Sequence, residues 1–177
     1  MKLIILDRDG VINFDSDAYI KSPDEWKAIP GSLDAIARLT QAGYHVAVAT
    51  NQAGVGRGLF EMATLNAIHD KMHRAVGQAG GRIDAVFYCP HARESNCGCR
   101  KPKPGLYEEI SKRFGMSLKG IPCIGDSQRD LEAATAVGGQ PMLVLTGKGE
   151  LTRSENKLPA GTLVFKNLAE AVSSFLK

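Results

Sequence analysis

The sequence has no apolar run long enough to cross a bilayer. Its longest apolar stretches, such as residues 47–49 and 142–145, are far shorter than the roughly 20 residues that a membrane-spanning helix needs. The first residues also lack the extended apolar segment and the small-residue cleavage site of a signal peptide. We therefore expect a cytoplasmic protein with no membrane partner.

Dense clusters of one charge are absent too. The formal net charge is only +3 at pH 7, aromatic residues make up 6% of the chain, and no run of Lys and Arg interleaves with aromatics. A small positive charge suits an anionic small substrate, whereas nucleic-acid binding requires a basic patch. We expect no nucleic-acid partner. Nothing in the sequence indicates an obligate oligomer, so we expect a monomer.

Cysteine is scarce, and its distribution argues against a disulfide framework. Of the four cysteines, Cys89, Cys97 and Cys99 lie close together beside His91, while Cys123 stands alone in an apolar segment. Three cysteines and a histidine in one short segment favour a metal site over disulfide bonds. Internal repeats, low-complexity tracts and linkers are absent as well, so one uninterrupted fold is expected.

Short apolar runs alternate with amphipathic segments along the chain. The predicted strands are residues 3–6, 46–49, 86–88, 121–124, 142–145 and 163–165. The predicted helices are residues 32–42, 61–79, 104–114, 127–137 and 168–176. Ser32 is predicted to cap the first helix. This alternation predicts an α/β fold with a Rossmann-like, doubly wound parallel sheet in a three-layer αβα sandwich, forming one domain over residues 1–177.

Two acids follow the first predicted strand. Asp7 and Asp9 stand one residue apart at its carboxyl end, and Gly10 allows a sharp turn after them. Burying two carboxylates without a partner is costly, so a bound divalent cation would explain the pair. A capped, solvated turn is the alternative, because an Asp-x-Asp pattern by itself is a weak signal.

Three further polar segments favour the cation site. They bring hydroxyl, amide, cationic and carboxylate groups to the ends of other predicted strands or the start of a helix: Thr50, Asn51, Gln52, Arg100, Lys101, Asp126 and Asp130. In a doubly wound fold, ligands bind beyond the carboxyl ends of the parallel strands, which meet at one edge of the sheet. We therefore expect these groups to form one site with the two acids.

The loop at residues 89–99 has the composition of a zinc site. Cys89, His91, Cys97 and Cys99 offer three thiolates and one imidazole, as in closed tetrahedral structural sites, although their spacing is not that of a zinc finger. A closed site leaves no open position for catalysis, so the zinc would order the loop and the cations that follow it. Reactive or idle cysteines are the alternative interpretation.

Five sequence motifs carry a resemblance to a known family. They are Asp-Arg-Asp-Gly-Val-Ile-Asn, Thr-Asn-Gln-Ala-Gly-Val-Gly-Arg-Gly, Cys-Pro-His, Cys-Gly-Cys-Arg-Lys-Pro and Gly-Asp-Ser. With these motifs in this order, the chain resembles the haloacid dehalogenase superfamily over nearly its whole length, and within it the zinc-containing branch that dephosphorylates heptose bisphosphate or histidinol phosphate. The resemblance implies a haloacid dehalogenase-like fold without a cap domain and a magnesium-dependent phosphatase.

The resemblance also implies a role for each matching residue. Asp7 would be the nucleophile that forms an aspartyl phosphate, and Asp9 the general acid and base. Thr50 and Lys101 would stabilise the phosphoryl oxygens. A catalytic Mg²⁺ would be held by Asp7, by the main-chain carbonyl of Asp9 and by Asp126, and a structural Zn²⁺ by the four ligands of the cysteine-rich loop.

Substrate contacts implied by the resemblance fall on three segments. Their residues are Asp15, Ser16, Asp17, Ala18, Thr50, Asn51, Gln52, Ala53, Arg100 and Lys101. The implied reaction removes the 7-phosphate of D-glycero-D-manno-heptose 1,7-bisphosphate, a small phosphorylated sugar, and histidinol phosphate is the alternative substrate. Two functions of other classes stay open: a polynucleotide end phosphatase, and a zinc-stapled binding or redox module without catalysis.

Three other features are predicted to be structural. His69 and His73 lie four residues apart on a predicted helix, but neither a metalloprotease glutamate nor a third ligand accompanies them, so a solvated helix face is expected. Lys148 lies between two glycines that lack the rest of a P-loop motif, which predicts an ordinary turn. Asp130 is expected either to orient Lys101 or to complement a helix dipole.

Overall fold

The computed structural model describes residues 1–176, and within them it contains a six-stranded parallel sheet flanked by helices. The strands are β1 (Lys2–Leu6), β2 (Tyr44–Asn51), β3 (Ala85–Cys89), β4 (Pro122–Gly125), β5 (Gln140–Val144) and β6 (Leu163–Phe165). The α-helices are α1 (Ser32–Gln41), α2 (Ala53–Gly56), α3 (Met62–Gln78), α4 (Gly105–Phe114), α5 (Gln128–Ala136), α6 (Gly149–Ser154) and α7 (Leu168–Phe175). Short 3₁₀ helices span Pro23–Glu25 and Arg93–Ser95.

Strand β1 lies at the centre of the sheet. The strand order is β3-β2-β1-β4-β5-β6, and every neighbouring pair is parallel. The order changes direction between β1 and β4, which is the point where doubly wound sheets open a crevice for ligands. The prediction of a Rossmann-like α/β fold is confirmed, and it sets the carboxyl ends of β2, β1 and β4 side by side.

Alternate side chains of β1 enter two separate hydrophobic cores. Leu3 and Ile5 pack on one face of the sheet with residues of α4 and α5, whereas Ile4 and Leu6 pack on the other face with residues of α1, α3 and α7. All four are fully buried, as expected for a strand covered by helices on both faces. These two cores hold β1 rigidly, so the residues that follow it start from a fixed position.

The beginning of α1 differs from the prediction. Gly31, with a φ of 88°, is the N-terminal cap, and Ser32 is the first helical residue. The Ser32 hydroxyl is buried and donates to the carbonyl oxygen of Val11 at 2.7 Å. The prediction that Ser32 caps the helix is therefore wrong, because a tertiary contact uses its hydroxyl.

Helix α3 corrects the prediction for one of its two histidines. His73 is exposed, as expected, but His69 is buried with 7% of its surface accessible. One residue after Ile68 and one turn after Leu65, it lies at the edge of the apolar stripe that α3 buries. A solvated face was expected for both histidines, and that expectation is wrong for His69 because its side chain lies over the end of β1.

The connections that leave the sheet at its carboxyl edge contain little regular secondary structure. Those after β1, β2 and β3 span residues 7–31, 52–61 and 90–104, and their only helices are α2 and the two 3₁₀ turns. Within residues 1–176 none of these connections builds a cap domain, as predicted. Helices α2 and α6 were not predicted, because four and six residues are too few to show a helical period. No helix in the described part of the chain is long and apolar enough to span a bilayer.

Candidate active site

The predicted polar segments meet at the carboxyl edge of the sheet. Leu6 of β1 is in register with Val48 of β2 and with Ile124 of β4, so the residues after these positions become neighbours. Asp7 follows β1, and Asp126 follows β4. The two carboxylates, together with that of Asp130 from α5, have oxygen atoms that lie within 4.8 Å of one another.

Lys101 lies at the centre of this group of acids. Its ammonium group, which is 2% exposed, donates to Asp7 Oδ1 at 3.0 Å and to Asp130 Oδ1 at 2.6 Å. It also donates to the carbonyl oxygen of Ala49 at 2.7 Å. Burial by itself would lower the pKa of Lys101, but attraction by Asp130 and Asp7 raises it above its usual value. Lys101 is therefore a permanent positive charge beside Asp7.

Asn51 attaches the backbone of Lys101 to the sheet. The Asn51 side chain accepts from the Lys101 N–H at 3.0 Å and donates to the Lys101 carbonyl oxygen at 3.1 Å. Both hydrogen bonds connect the end of β2 to a residue 50 positions later in the chain. This explains how a lysine on a long loop reaches the end of β1 with a fixed geometry.

Asp130 both orients Lys101 and stabilises the start of α5, the two functions considered for it from the sequence. Its Oδ1 binds Lys101, and its Oδ2 accepts the N–H groups of Asp126 at 3.2 Å and Ser127 at 3.1 Å. With Ser127 it forms a capping box at the start of α5. Because these contacts occupy Asp130, the carboxylates of Asp7 and Asp126 are the ones available for a metal ion.

Negative charge is in excess at this edge of the sheet. Burial and the neighbouring Asp130 raise the pKa of Asp7 well above its ordinary value, and the same two causes raise the pKa of Asp126 to about 7. Three buried carboxylates face one lysine, so a divalent cation with oxygen ligands would balance the charge. The residues therefore fit a Mg²⁺ ion, with Asp7 and Asp126 as carboxylate ligands.

Two glycines allow the backbone to close around Asp126. Gly10 has a φ of 84° and Gly147 a φ of 57°, and a Cβ atom on either would collide with the Asp126 carboxylate. The adjacent Lys148 N–H donates to Asp126 Oδ2 at 2.9 Å. Lys148 was predicted to lie in an ordinary turn. It does lie in a turn, but its N–H binds a carboxylate of the site.

Asp9 lies at the side of a cavity that Asp7, Lys101 and Asp126 also line. Its carboxylate is half-buried; Oδ1 accepts from Asn13 at 2.9 Å and Oδ2 from Gln52 Nε2 at 3.2 Å. The Gln52 amide also donates to Thr50 Oγ1 at 2.9 Å. Thr50 and Gln52 are almost fully buried beneath the cavity. Gln52 therefore holds the Asp9 carboxylate from the interior of the protein, and Thr50 binds Gln52.

A single cavity collects most of the predicted substrate residues. Those that line it are Asp15, Ser16, Asp17, Asn51, Ala53, Arg100 and Lys101, beside Asp7, Asp9 and Asp126. Thr50, Gln52 and Ala18 do not line it. Residues that were not predicted also line the cavity, namely Tyr19, Ser127, Arg129 and Lys148. Ser127 belongs to the Gly-Asp-Ser motif and could have been inferred from it, whereas only the tertiary structure brings Tyr19, Arg129 and Lys148 to the cavity.

The cysteine-rich loop forms a compact cluster of four ligands. Neighbouring ligand atoms lie 3.5 Å apart for Cys89 and His91, 3.5 Å for Cys89 and Cys97, 3.3 Å for Cys99 and His91, and 3.6 Å for Cys99 and Cys97. With Zn–S bonds of about 2.3 Å, the edge of a tetrahedron is about 3.8 Å. Donor set and spacing therefore fit a zinc ion, and Cys99 directly precedes Arg100.

Loss of this zinc should disorder the loop that carries the cations of the cavity. We expect Cys97→Ser to lower the zinc content to well below one ion per chain and to reduce phosphatase activity by at least about tenfold, since structural zinc contributes folding free energy directly. Metal analysis by mass spectrometry and activity assays measure both effects. Cys123→Ala, which removes a thiol from the core, is the control and should keep its zinc. Full activity in a zinc-free variant would contradict this prediction.

Comparisons with known proteins agree with this geometry. A family model described as polynucleotide kinase 3 phosphatase matches residues 2–127, and one described as HAD-hydrolase-like matches residues 98–171. The D-glycero-beta-D-manno-heptose-1,7-bisphosphate 7-phosphatase of Bordetella bronchiseptica is 59% identical over 177 residues, which cover 100% of this chain and 99% of that protein. The protein of the same name from Pseudomonas putida is 55% identical over 169 residues, or 96% of each chain.

Solved structures give the same result. The crystal structure of D,D-heptose 1,7-bisphosphate phosphatase from B. bronchiseptica, complexed with magnesium and phosphate, has a TM-score of 0.97 at 59% identity and covers 98% of this chain and 97% of that one. The corresponding enzyme from Burkholderia thailandensis has a TM-score of 0.81 at 51% identity and covers 100% and 99%. The resemblance predicted from the motifs is confirmed: the chain belongs to the D-glycero-β-D-manno-heptose-1,7-bisphosphate 7-phosphatase family of haloacid dehalogenase-like hydrolases.

Proposed function

We propose that the protein is a magnesium-dependent phosphatase that removes the 7-phosphate of D-glycero-D-manno-heptose 1,7-bisphosphate. The observation that carries this proposal is the buried Asp7, paired with Lys101 and facing Asp126 at the end of β1. A nucleophile, a fixed cation and a metal-binding carboxylate are the groups that phosphoryl transfer through an aspartyl phosphate requires. The full-length similarity to enzymes named for this substrate supports the choice of sugar.

In the first step, an oxygen of Asp7 attacks the phosphorus of the 7-phosphate. The bond between phosphorus and the sugar oxygen breaks, and Asp9 gives its proton to that oxygen, so the sugar leaves as an alcohol. Lys101 neutralises charge on Asp7 and on the phosphoryl oxygens throughout. The phosphoryl group is then bound covalently to Asp7.

In the second step, water attacks the same phosphorus. Asp9, now a carboxylate, takes a proton from the water, the bond between phosphorus and Asp7 breaks, and inorganic phosphate leaves. Asp7, Asp126 and the main-chain carbonyl of Asp9 would hold Mg²⁺. When bound, this ion offsets the repulsion between the anionic nucleophile and the phosphate. Thr50, which does not line the cavity, would act through Gln52, whose amide donates to Thr50 Oγ1 and to Asp9 Oδ2.

The metal requirement gives a pH-dependent prediction for stability. The pKa of about 7 at Asp126 lies above the value near 4 of the unfolded chain, so the metal-free fold binds more protons than the unfolded chain between these values. Its stability therefore falls as the pH rises through this window. Mg²⁺ at Asp126 removes this loss, so it should raise the Tm by about 5–10 °C above pH 7 and by much less near pH 5.

Thermal unfolding of the metal-free protein, with and without Mg²⁺ at the two pH values, measures this difference. Asp126→Asn provides the control, because an amide neither takes up the proton nor binds the cation well, and its Tm should respond little to Mg²⁺. An equal response of the wild-type Tm at both pH values would contradict the prediction.

A cationic cleft beside the cavity supports a substrate with two phosphates. Arg93, Arg100, Lys103 and Arg129 line the cleft, and Arg100 and Arg129 also line the main cavity. Burial and then the positive charge of Arg129 lower the pKa of Arg100, so a second anion at this position would relieve repulsion. Histidinol phosphate has one phosphate and a cationic amine, and these arginines would disfavour it.

The deciding experiment compares kcat/KM for heptose 1,7-bisphosphate, heptose 7-phosphate and histidinol phosphate. We expect the bisphosphate to be the best of the three. Arg129→Gln should raise the KM for the bisphosphate by about fivefold to tenfold, the loss of one charge-assisted contact, and should hardly change that for the 7-phosphate. Efficient cleavage of histidinol phosphate without cleavage of the bisphosphate would overturn the substrate assignment and leave the chemistry intact.

The same comparison of substrates distinguishes the proposed function from the two alternatives of other classes. A polynucleotide end phosphatase, which the match over residues 2–127 keeps as a candidate, would release phosphate from a DNA or RNA end with strong salt dependence. A zinc-stapled module would release none from any substrate. One domain over residues 1–177 and a cytoplasmic monomer remain part of our proposal, and light scattering tests the oligomeric state.

A further inference from the structure

The residue between the two catalytic acids has a buried charge. Arg8 has no exposed surface, and its guanidinium lies against Asp9: Nε donates to Asp9 Oδ1 at 2.9 Å, and Nη2 lies 2.8 Å from the same oxygen as an ion pair. A fully buried guanidinium is costly unless a partner compensates for it. An apolar side chain would fill this position without that cost, so the ion pair calls for an explanation.

A histidine from α3 completes the surroundings of Arg8. His69 Nε2 lies 3.1 Å from Arg8 Nη1. Because a guanidinium has only donors, Nε2 must be the acceptor, which makes His69 neutral with its proton on Nδ1. Burial, and then the charge of Arg8, lower the pKa of His69 to about 3, in agreement with this state. His69 therefore fixes the far end of the guanidinium without opposing its charge.

These contacts make the two oxygens of Asp9 unequal. Oδ1 accepts hydrogen bonds from Arg8 Nε and from Asn13 Nδ2, which occupy both of its lone pairs, and both partners are fully buried. Oδ2 has the weaker contact, with Gln52 at 3.2 Å. Asp9 lines the cavity, and of its two oxygens Oδ2 is the one that keeps a free lone pair.

We propose that Arg8, anchored by the neutral His69, is a positioning residue that turns Asp9 so that Oδ2 faces the leaving group and donates the proton. This inference rests on the proposed function, since it assigns an atom to the general acid of that reaction. In the first step the proton passes from Oδ2 to the sugar oxygen as the bond between phosphorus and that oxygen breaks. The negative charge left on the carboxylate is then stabilised by Arg8.

Substrates with different leaving groups test this role. An alkyl phosphate needs a proton on its leaving oxygen, whereas 4-nitrophenyl phosphate releases a stable phenolate that needs none. The kcat/KM of each reports on the steps up to the first irreversible one, in which Asp7 takes the phosphoryl group and the alcohol leaves. A general acid that is out of position should therefore slow only the alkyl ester.

The main variant is His69→Leu, which removes the acceptor at similar volume. We expect its kcat/KM to fall by about 10- to 100-fold with heptose 1,7-bisphosphate and by less than about threefold with 4-nitrophenyl phosphate. His69→Gln, which keeps an acceptor, should restore most of the loss. His73→Leu changes an exposed histidine one turn later on α3 and should leave both rates unchanged. Asn13→Ala, which frees a lone pair of Oδ1, should give the same selective loss if His69→Leu does not fold.

Equal losses on the two esters, or no loss on either, would overturn the inference while leaving the phosphatase function intact. If wild-type protein cleaved histidinol phosphate instead of the bisphosphate, the substrate assignment would fail, and the same comparison would be made with histidinol phosphate, which is also an alkyl ester. If wild-type protein cleaved neither alkyl ester, the proposed function and the inference would both be wrong.

Discussion

Replacing Asp7 by asparagine should abolish turnover and leave the fold intact. An amide cannot form the acyl phosphate, so we expect the release of phosphate to fall by at least about 10³-fold with any substrate. Stability should not suffer, because burial and Asp130 already raise the pKa of Asp7, and a neutral side chain relieves that repulsion. A phosphate-release assay and thermal unfolding of the same preparation measure both effects.

Two controls accompany this variant. Asp34→Asn changes an exposed acid on α1 and should keep full activity. The zinc content of Asp7→Asn should equal that of the wild type, because the cysteine-rich loop is not involved. Activity above a few per cent in Asp7→Asn would exclude the aspartyl phosphate. It would also revive the view that the chain is a zinc-stapled module or uses another nucleophile.

Replacing Lys101 by methionine should have the largest effect on stability. Lys101 is the cation that Asp7 and Asp130 share, so its loss leaves two buried carboxylates without compensation. We expect a loss of about 3–5 kcal/mol at neutral pH, which for a chain of this length lowers the Tm by about 10 °C. Activity should fall by at least about 10³-fold, because the phosphoryl oxygens lose their fixed charge.

The pH dependence of Lys101→Met distinguishes charge from packing. Without the lysine, the pKa of Asp7 rises further, and the pKa of Asp130, which Lys101 lowers against the effect of burial, rises as well. The folded variant therefore takes up protons as the pH falls and regains stability. Its deficit should therefore be smaller near pH 5 than above pH 7. The double variant Lys101→Met, Asp130→Asn has one buried charge fewer and should be more stable than the single variant at neutral pH. A deficit that does not depend on pH would indicate lost packing instead.

Much of the fold was predictable because it depends on local patterns. Apolar runs of three or four residues mark the strands, and the structure places each within two residues of the predicted limits at either end. The exceptions are informative. Helices α2 and α6 are too short to show a period, and Ser32 was given the role of a cap because its type favours that position. A hydroxyl that binds a distant carbonyl cannot be recognised from its neighbours in sequence.

The sequence by itself determined the positions of the chemical groups along the chain. Acids after β1 and β4, amides at the end of β2 and cations before α4 must meet at one edge, because parallel strands end there. The cysteine-rich loop likewise contains its four ligands within eleven residues, so its composition alone indicates zinc.

Only the tertiary structure decided how these groups pair. The sequence does not specify whether Lys101 pairs with Asp7 or with Asp130, and the structure shows that it binds both. Asn51 holds the Lys101 backbone from 50 residues away, and His69 contacts Arg8 across 61 residues. Such contacts depend on which face of a helix packs against the sheet and on how far each loop reaches. Sequence periodicity specifies that a helix has a buried face, but the packing of the whole chain selects the atom that each buried polar side chain meets.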